Sequence, residues 1–237
     1  IAVKRLKVWS NKADGEFAVE LEILGRVQHK NLIGLRGYCA EGQEQLIVYD
    51  YMPNFNLFAH LHGPQSAECL LDWSRRMNIA IGCAEGVVYL HHQATPRIIH
   101  RDIKPSSVLL DSNFEALIGG FGFAKLIPDS KTQVTTNVKE LASGRKPIVK
   151  VSSTLKQYSI VDWALPLVCE KNFTELVDPR LNGNYVVEEL NRVIIVGLIC
   201  AQNLPEKRPT MVDVVELLKG ESKGRSSKVG LFTLLLK

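Results

Sequence analysis

The chain has 237 residues, 46% hydrophobic and 23% charged, with a mean hydropathy of +0.01. That suffices for one large domain or two small lobes around a buried core, and it excludes a disordered or low-complexity chain. The net charge of +4, from 29 basic and 25 acidic residues, suits an anionic small ligand but lacks the concentrated basic excess of a nucleic-acid binder. Cys39, Cys69, Cys83, Cys169 and Cys200 are odd in number and have neither zinc nor redox spacing. Reduced, buried thiols in a cytosolic protein are the expectation. No stretch reaches the ~20 apolar residues of a membrane helix. Without a leader or an initiator Met, the chain reads as the middle of something longer.

Residues 1–8 alternate apolar and polar and are rich in β-branched types, which predicts a strand. Phe17, Leu21, Leu24 and Val27 recur every three or four positions and predict a helix over 14–28. Strands follow at 31–38 and 45–51, joined by a turn at Glu41-Gly42-Gln43. After Pro53-Asn54 the pattern turns helical. Leu57, Phe58 and Leu61 predict a short helix, and Asp72 caps a long periodic run over 73–92. A loop with short strands spans 97–118. Residues 138–156 are polar and basic, with little periodicity. Helical periods return at 186–201 and 210–219, separated by Pro205-Glu206-Lys207-Arg208-Pro209. His60 and His62 are expected to be solvated, His91 and His92 to sit at a helix end where positive charge suits the dipole, and Trp73 and Trp163 to pack.

Chemistry concentrates at His100-Arg101-Asp102-Ile103-Lys104-Pro105. A carboxylate beside fixed positive charge stays ionised and can orient a substrate hydroxyl, and Lys104 can neutralise a phosphate at the same place. Upstream, Ile1-Ala2-Val3-Lys4 has the form of the kinase strand whose Lys pairs the α and β phosphates of ATP, and Glu20 lies on the following predicted helix. With Glu20-Leu21-Glu22-Ile23-Leu24-Gly25-Arg26-Val27, Leu46 to Asn54, Leu71-Asp72-Trp73, Val177-Asp178-Pro179-Arg180-Leu181 and Lys207-Arg208-Pro209-Thr210-Met211, the chain resembles a protein kinase. The narrower resemblance is to plant receptor-like kinases of the cytoplasmic branch, over about residues 1–136 and 140–222.

The resemblance implies an α+β, two-lobed kinase fold: a partial N-lobe and hinge at 1–52, a C-lobe at 53–222, and a basic and apolar tail at 223–237. It implies catalytic roles for Asp102, Lys104 and Arg101. ATP would be held by Lys4, Glu20 and the backbone of Asp50, Tyr51 and Met52, with Tyr49 at the back of the pocket.

Two substitutions and two missing pieces bear on function. The Asp of the family's Asp-Phe-Gly, its principal magnesium ligand, is Gly120, and the Asn expected five residues past Asp102 is Ser107. The Gly-rich loop that precedes the first strand in the family is not in this chain. The pattern also jumps between Lys139 and Glu140, as if an activation segment and central helix were excised, which would leave Arg208 without its usual partner. The expectation is a kinase homologue with weak ATP binding, magnesium lost, no metal site and impaired phosphotransfer, acting by binding. A weakly active serine/threonine kinase in plant signalling is the alternative, and a poorly folded product without a selected role is the second. Receptor kinases or signalling proteins would be its partners. Its expected location is the cytoplasm, or the periphery of the plasma membrane. The apolar run from Val193 to Ala201 is expected to lose a neighbour to the excision, and residues 138–156 to be protease-sensitive.

Overall fold

The computed structural model describes residues 1–7, 11–42, 44–127, 142–144, 148–150, 157–202 and 204–221. The expectations for the 139–140 junction and the 223–237 tail lie outside them. The backbone forms two compact units: Ile1–Leu57 with Gly82–Val134, and Phe58–Ile81 with Thr135–Lys237. The mixed α+β content is the one the resemblance implies.

In the first unit, β1 (Ala2–Lys7), β2 (Leu35–Glu41) and β3 (Glu44–Tyr49) form an antiparallel sheet in the order β1-β3-β2. The turn between β2 and β3 uses Gly42 at φ +58°, a left-handed conformation that costs glycine little. Helix α1 (Asn11–Leu24) starts three residues earlier and ends four earlier than its periodicity suggests. It closes at Gly25, whose N–H bonds the Leu21 carbonyl, and Val27 is buried as part of the turn beyond.

The strand expected over 31–38 begins only at Leu35. Asn31 instead sends its side-chain amide to the Ala116 carbonyl at 2.9 Å, and the Ile33 N–H bonds the Ile118 carbonyl. Both acceptors lie on β6 (Ala116–Ile118), which pairs with β5 (Val108–Leu110). Strand β4 (Arg97–Ile99) pairs with β7 (Lys125–Ile127).

Helix α2 (Leu57–His62) and α3 (Gln65–Glu68) are short. Helix α4 (Trp73–Val88) starts on Asp72, whose carboxylate accepts from the Arg75 N–H at 2.8 Å. It passes into a π turn at Tyr89–Gln93 in place of its expected last turn. In the second unit a hairpin of β8 (Ile148–Lys150) and β9 (Gln157–Ser159) emerges from a stretch with no strand signal. Helices α5 (Ile160–Cys169), α6 (Val187–Cys200) and α7 (Met211–Lys219) follow. Thr210 and Asp213 cap α7 reciprocally.

Helix α6 does not expose the apolar surface expected of it. Val193, Ile194, Val196, Leu198, Ile199 and Cys200 are all buried. Ala142, Ser143, Trp163 and Leu176 line a small apolar pocket together with Ile194 and Leu198. The Arg208 guanidinium donates to the Gln202 carbonyl at 2.8 Å. A buried ion pair ties α4 to the turn after Val177: Arg76 and Asp178, 1% and 2% exposed, meet at 2.8 Å, and Arg180 joins the same carboxylate at 2.7 Å.

The cysteines are not all buried as expected: Cys200 is, Cys39, Cys69 and Cys83 are half-buried, and Cys169 at the end of α5 is exposed. Two histidine expectations are corrected as well. His60 is buried, with Nδ1 3.2 Å from the Cys69 carbonyl, because α2 turns it inward. His91 is buried in the π turn, and burial, helped by the neighbouring His92, lowers its pKa to about 4. At neutral pH it is an uncharged packing group, not a charge at a helix end.

Candidate functional site

Strand β1 sets Lys4 opposite Ile47 of β3, and Ala2 opposite Tyr49. The pleat period of two therefore puts Ala2 and Lys4 on one face with Ile47, which is fully buried. Glu20 lies on α1 at 1% exposure, and its Oε2 meets Lys4 Nζ at 2.6 Å. Its other oxygen, Oε1, accepts from the Tyr49 hydroxyl at 2.7 Å. Burial, followed by the Glu20 charge and this hydrogen bond, pushes the Tyr49 phenol well above its ordinary range, so it stays a donor.

In the loop after β4, the buried His100 ring has Nε2 3.0 Å from the Gly119 carbonyl, while Nδ1 accepts from the Asp102 N–H at 3.3 Å. These partners define a neutral ring protonated on Nε2. Burial lowers its pKa against the raising effect of the Gly119 hydrogen bond. The same ring packs on Phe121, centroids 4.8 Å apart. Arg101 is held at φ +64° and its Nε donates to the Phe123 carbonyl, which joins this loop to the Gly-Phe-Gly turn. Asp102 Oδ2 pairs with Lys104 Nζ at 2.7 Å.

Ser107 is the clasp of this loop. Its Oγ accepts from the Lys104 N–H at 2.9 Å and offers its proton to the carbonyls of Lys104 and Asp102, at 2.8 and 3.1 Å. Lys4, Asp102 and Lys104 line one cavity of about 220 Å³, together with Glu16, Ser107 and Gly120. Three of the expected site residues are thus gathered there, and Glu20 reaches the cavity through Lys4. Asp50, Tyr51 and Met52 are not part of its lining. Asp50 accepts from Arg36 Nε at 2.6 Å, and the Tyr51 side chain is exposed.

Sequence reasoning missed Glu16. Its spacing of four from Glu20 is the available signal, since i and i+4 share a helix face. Gly122 permits the close approach of α1: a Cβ there would lie 3.3 Å from Glu16 Cβ. The clasp role of Ser107 and the Tyr49–Glu20 bond were also missed, because both depend on contacts that periodicity does not encode.

The kinase pattern implies magnesium, and the donor set does not suit it. Hard Mg²⁺ takes near-octahedral oxygen ligands, chiefly carboxylate and phosphate. Gly120 offers no side chain, the Ser107 hydroxyl is committed to the loop backbone, and Asp102 Oδ2 already holds Lys104. Among the described residues no group of three or more His, Cys, Asp or Glu is placed to hold a metal ion.

A lysine–glutamate pair between sheet and helix, with an Asp and a Lys on a loop after a short strand, is the arrangement that protein-kinase motifs take. Residues 1–143 match the protein kinase domain family, and the chain belongs to that family. It is 48% identical over 260 residues to a PTI1-like tyrosine-protein kinase of Arabidopsis thaliana, covering 97% of this chain and 72% of that protein. It is 40% identical over 255 residues to the proline-rich receptor-like protein kinase PERK13 of the same plant, covering 93% of the chain and 36% of the relative. For PERK10 the identity is 40% over 249 residues, covering 91% and 32%. The chain is a protein kinase domain of the plant receptor-like type, and it spans about a third of the length of the proline-rich relatives. Among the described residues no helix is long and apolar enough to cross a membrane.

Proposed function

We propose that this chain is a nucleotide-binding kinase domain whose phosphotransfer is impaired and which acts by binding other proteins. The observation that carries this reading is the pair of substitutions at the metal positions: Gly120 without a side chain, and Ser107 engaged by its own loop. Metal charge stabilisation is worth several kcal/mol in a transition state, and each ~1.4 kcal/mol is tenfold in rate. A loss of about 10³-fold or more follows from an ordinary kinase turnover. In this reading Lys4 and Lys104 attract the phosphates, Glu20 holds Lys4, and Arg101 fixes the loop. Asp102 is placed to orient an acceptor hydroxyl, and the backbone of residues 50–52 receives the adenine.

An internal deletion near 139–140 is supported by two facts. The 260-residue alignment with the PTI1-like relative is longer than this 237-residue chain, and the family match ends at residue 143. Receptor kinases or signalling proteins in the cytoplasm, at the inner face of the plasma membrane, are the partners proposed.

A weakly active serine/threonine kinase is the second reading, favoured by the Lys4–Glu20 pair and by Asp102 and Lys104 sharing one cavity. The first relative's name specifies tyrosine for that protein, so the acceptor assay includes both hydroxyl types. Incubation with labelled ATP and Mg²⁺ or Mn²⁺, beside an Asp102→Asn control, separates the readings. No incorporation above the control supports impairment; incorporation that the control abolishes supports the active enzyme.

A further inference from the structure

The mismatch between this cavity and magnesium points to a ligand preference, which rests on the nucleotide reading above. Two ammonium groups face the cavity, Lys4 and Lys104, 43% and 54% exposed. Each holds a carboxylate: Glu20 for Lys4 and Asp102 for Lys104, at 2.6 and 2.7 Å. Lys104 can leave Asp102 for a phosphate oxygen and so exchange one ion pair for another. At Gly120 a Cβ would meet only Ser107 Cβ, at 3.7 Å. The place where a carboxylate would grip a cation is therefore open space, and no negative charge there repels an uncoordinated phosphate. Glu16 and Asp102 are the carboxylates on the cavity lining.

We propose that the cavity takes the triphosphate of a nucleotide as the metal-free anion, with Lys4 and Lys104 supplying the counter-charge, and that magnesium opposes binding. Mg²⁺ cancels two of the charges on which the lysines act, and in return the cavity offers it only Glu16 and an Asp102 carboxylate already paired with Lys104, with no side chain at Gly120. Coulomb attraction scales with the product of charges, so each lysine holds the phosphates of the free nucleotide more strongly than those of its magnesium complex.

Equilibrium titration of the full chain with a fluorescent ATP analogue tests this at matched ionic strength, in EDTA and in excess Mg²⁺. The expected result is an affinity about 3- to 10-fold higher in EDTA, a shift of roughly one kcal/mol. Inorganic tripolyphosphate should displace the probe in EDTA, whereas adenosine binding should not respond to Mg²⁺. Lys104→Met, at an exposed position, should melt like the parent yet lose most of the difference between the two conditions. Tighter binding in Mg²⁺, or a Lys104→Met variant that keeps the parent's EDTA preference, overturns the proposal. Failure of both ATP and adenosine to bind in either condition overturns the nucleotide reading itself, and the proposal with it.

Discussion

The Tyr49 hydroxyl donates at 2.7 Å to the Glu20 oxygen that Lys4 leaves free, so both oxygens of this buried carboxylate are engaged. One bond comes from the sheet's edge strand and the other from its central strand, and together they fix α1 against the sheet. Removing the phenol hydroxyl leaves a buried charged acceptor half-satisfied, which costs about 1.5–3 kcal/mol. Tyr49→Phe is therefore expected to lower the melting temperature by roughly 3–10 °C and to weaken nucleotide binding through a less constrained Lys4. Differential scanning calorimetry and a nucleotide titration check the two effects.

A steeper loss is expected at the buried pair between α4 and the turn after Val177. Asp178→Ala leaves the Arg76 guanidinium, 1% exposed, without its carboxylate. Breaking a buried pair from one side costs about 3–5 kcal/mol, a large share of a domain's total of about 5–15 kcal/mol. Urea unfolding should show a folded population that collapses or is lost. Arg180→Ala, which removes only the more exposed partner, should be much milder.

Stability is expected to fall on mild acidification. Burial lowers the pKa of His91 to about 4, and burial likewise lowers His29 and His100. A group with a depressed folded pKa binds its proton more readily in the unfolded chain, so acid favours unfolding. The loss begins as pH falls through the unfolded value near 6.5 and is complete below the folded values. For His91 alone, the change from pH 7 to pH 5 amounts to about 2 kcal/mol. Denaturant midpoints at the two pH values measure it, and His91→Gln should flatten the dependence. A second loss follows at lower pH. Hydrogen bonds from Arg180 and Arg76 outweigh burial and hold the Asp178 carboxyl below its ordinary value near 3.8, so its contribution disappears as pH falls through that depressed value.

Restoring a carboxylate at position 120 should change the metal response. The space is open, and Asp tolerates the left-handed φ of +79° better than most side chains, at a cost of about 1 kcal/mol. Gly120→Asp is expected to melt slightly lower when free and to gain a nucleotide stabilisation that Mg²⁺ enhances. A thermal-shift comparison with EDTA and with Mg²⁺ reads it directly. Ser107→Asn in the same background should add little, because it also removes the hydroxyl that clasps the loop.

Strand β1, helix α4 and the two C-terminal helices were legible because each carries its own apolar period and, for α4 and α7, a capping side chain. The Lys4–Glu20 and Asp102–Lys104 relationships were legible as motif members, although only folding puts three of those residues on one cavity. What stayed hidden depends on partners distant in sequence. Asn31 abandons the expected strand for a carbonyl 85 positions away. His60 and His91 are buried by tertiary packing that the polarity of a histidine does not announce. The β8–β9 hairpin consists of two three-residue strands, too short for alternation to register.

The bonds made by Ser107 have a consequence for the time course of recognition. A loop closed by its own hydroxyl keeps its shape before any ligand arrives, so little conformational entropy is left to lose on association. The amide protons of Lys104 and Ser107, both bonded within the loop, should exchange slowly with solvent in the free protein and change little on saturation. Association should then follow a single phase whose rate rises linearly with nucleotide concentration, without the plateau that a slow rearrangement imposes.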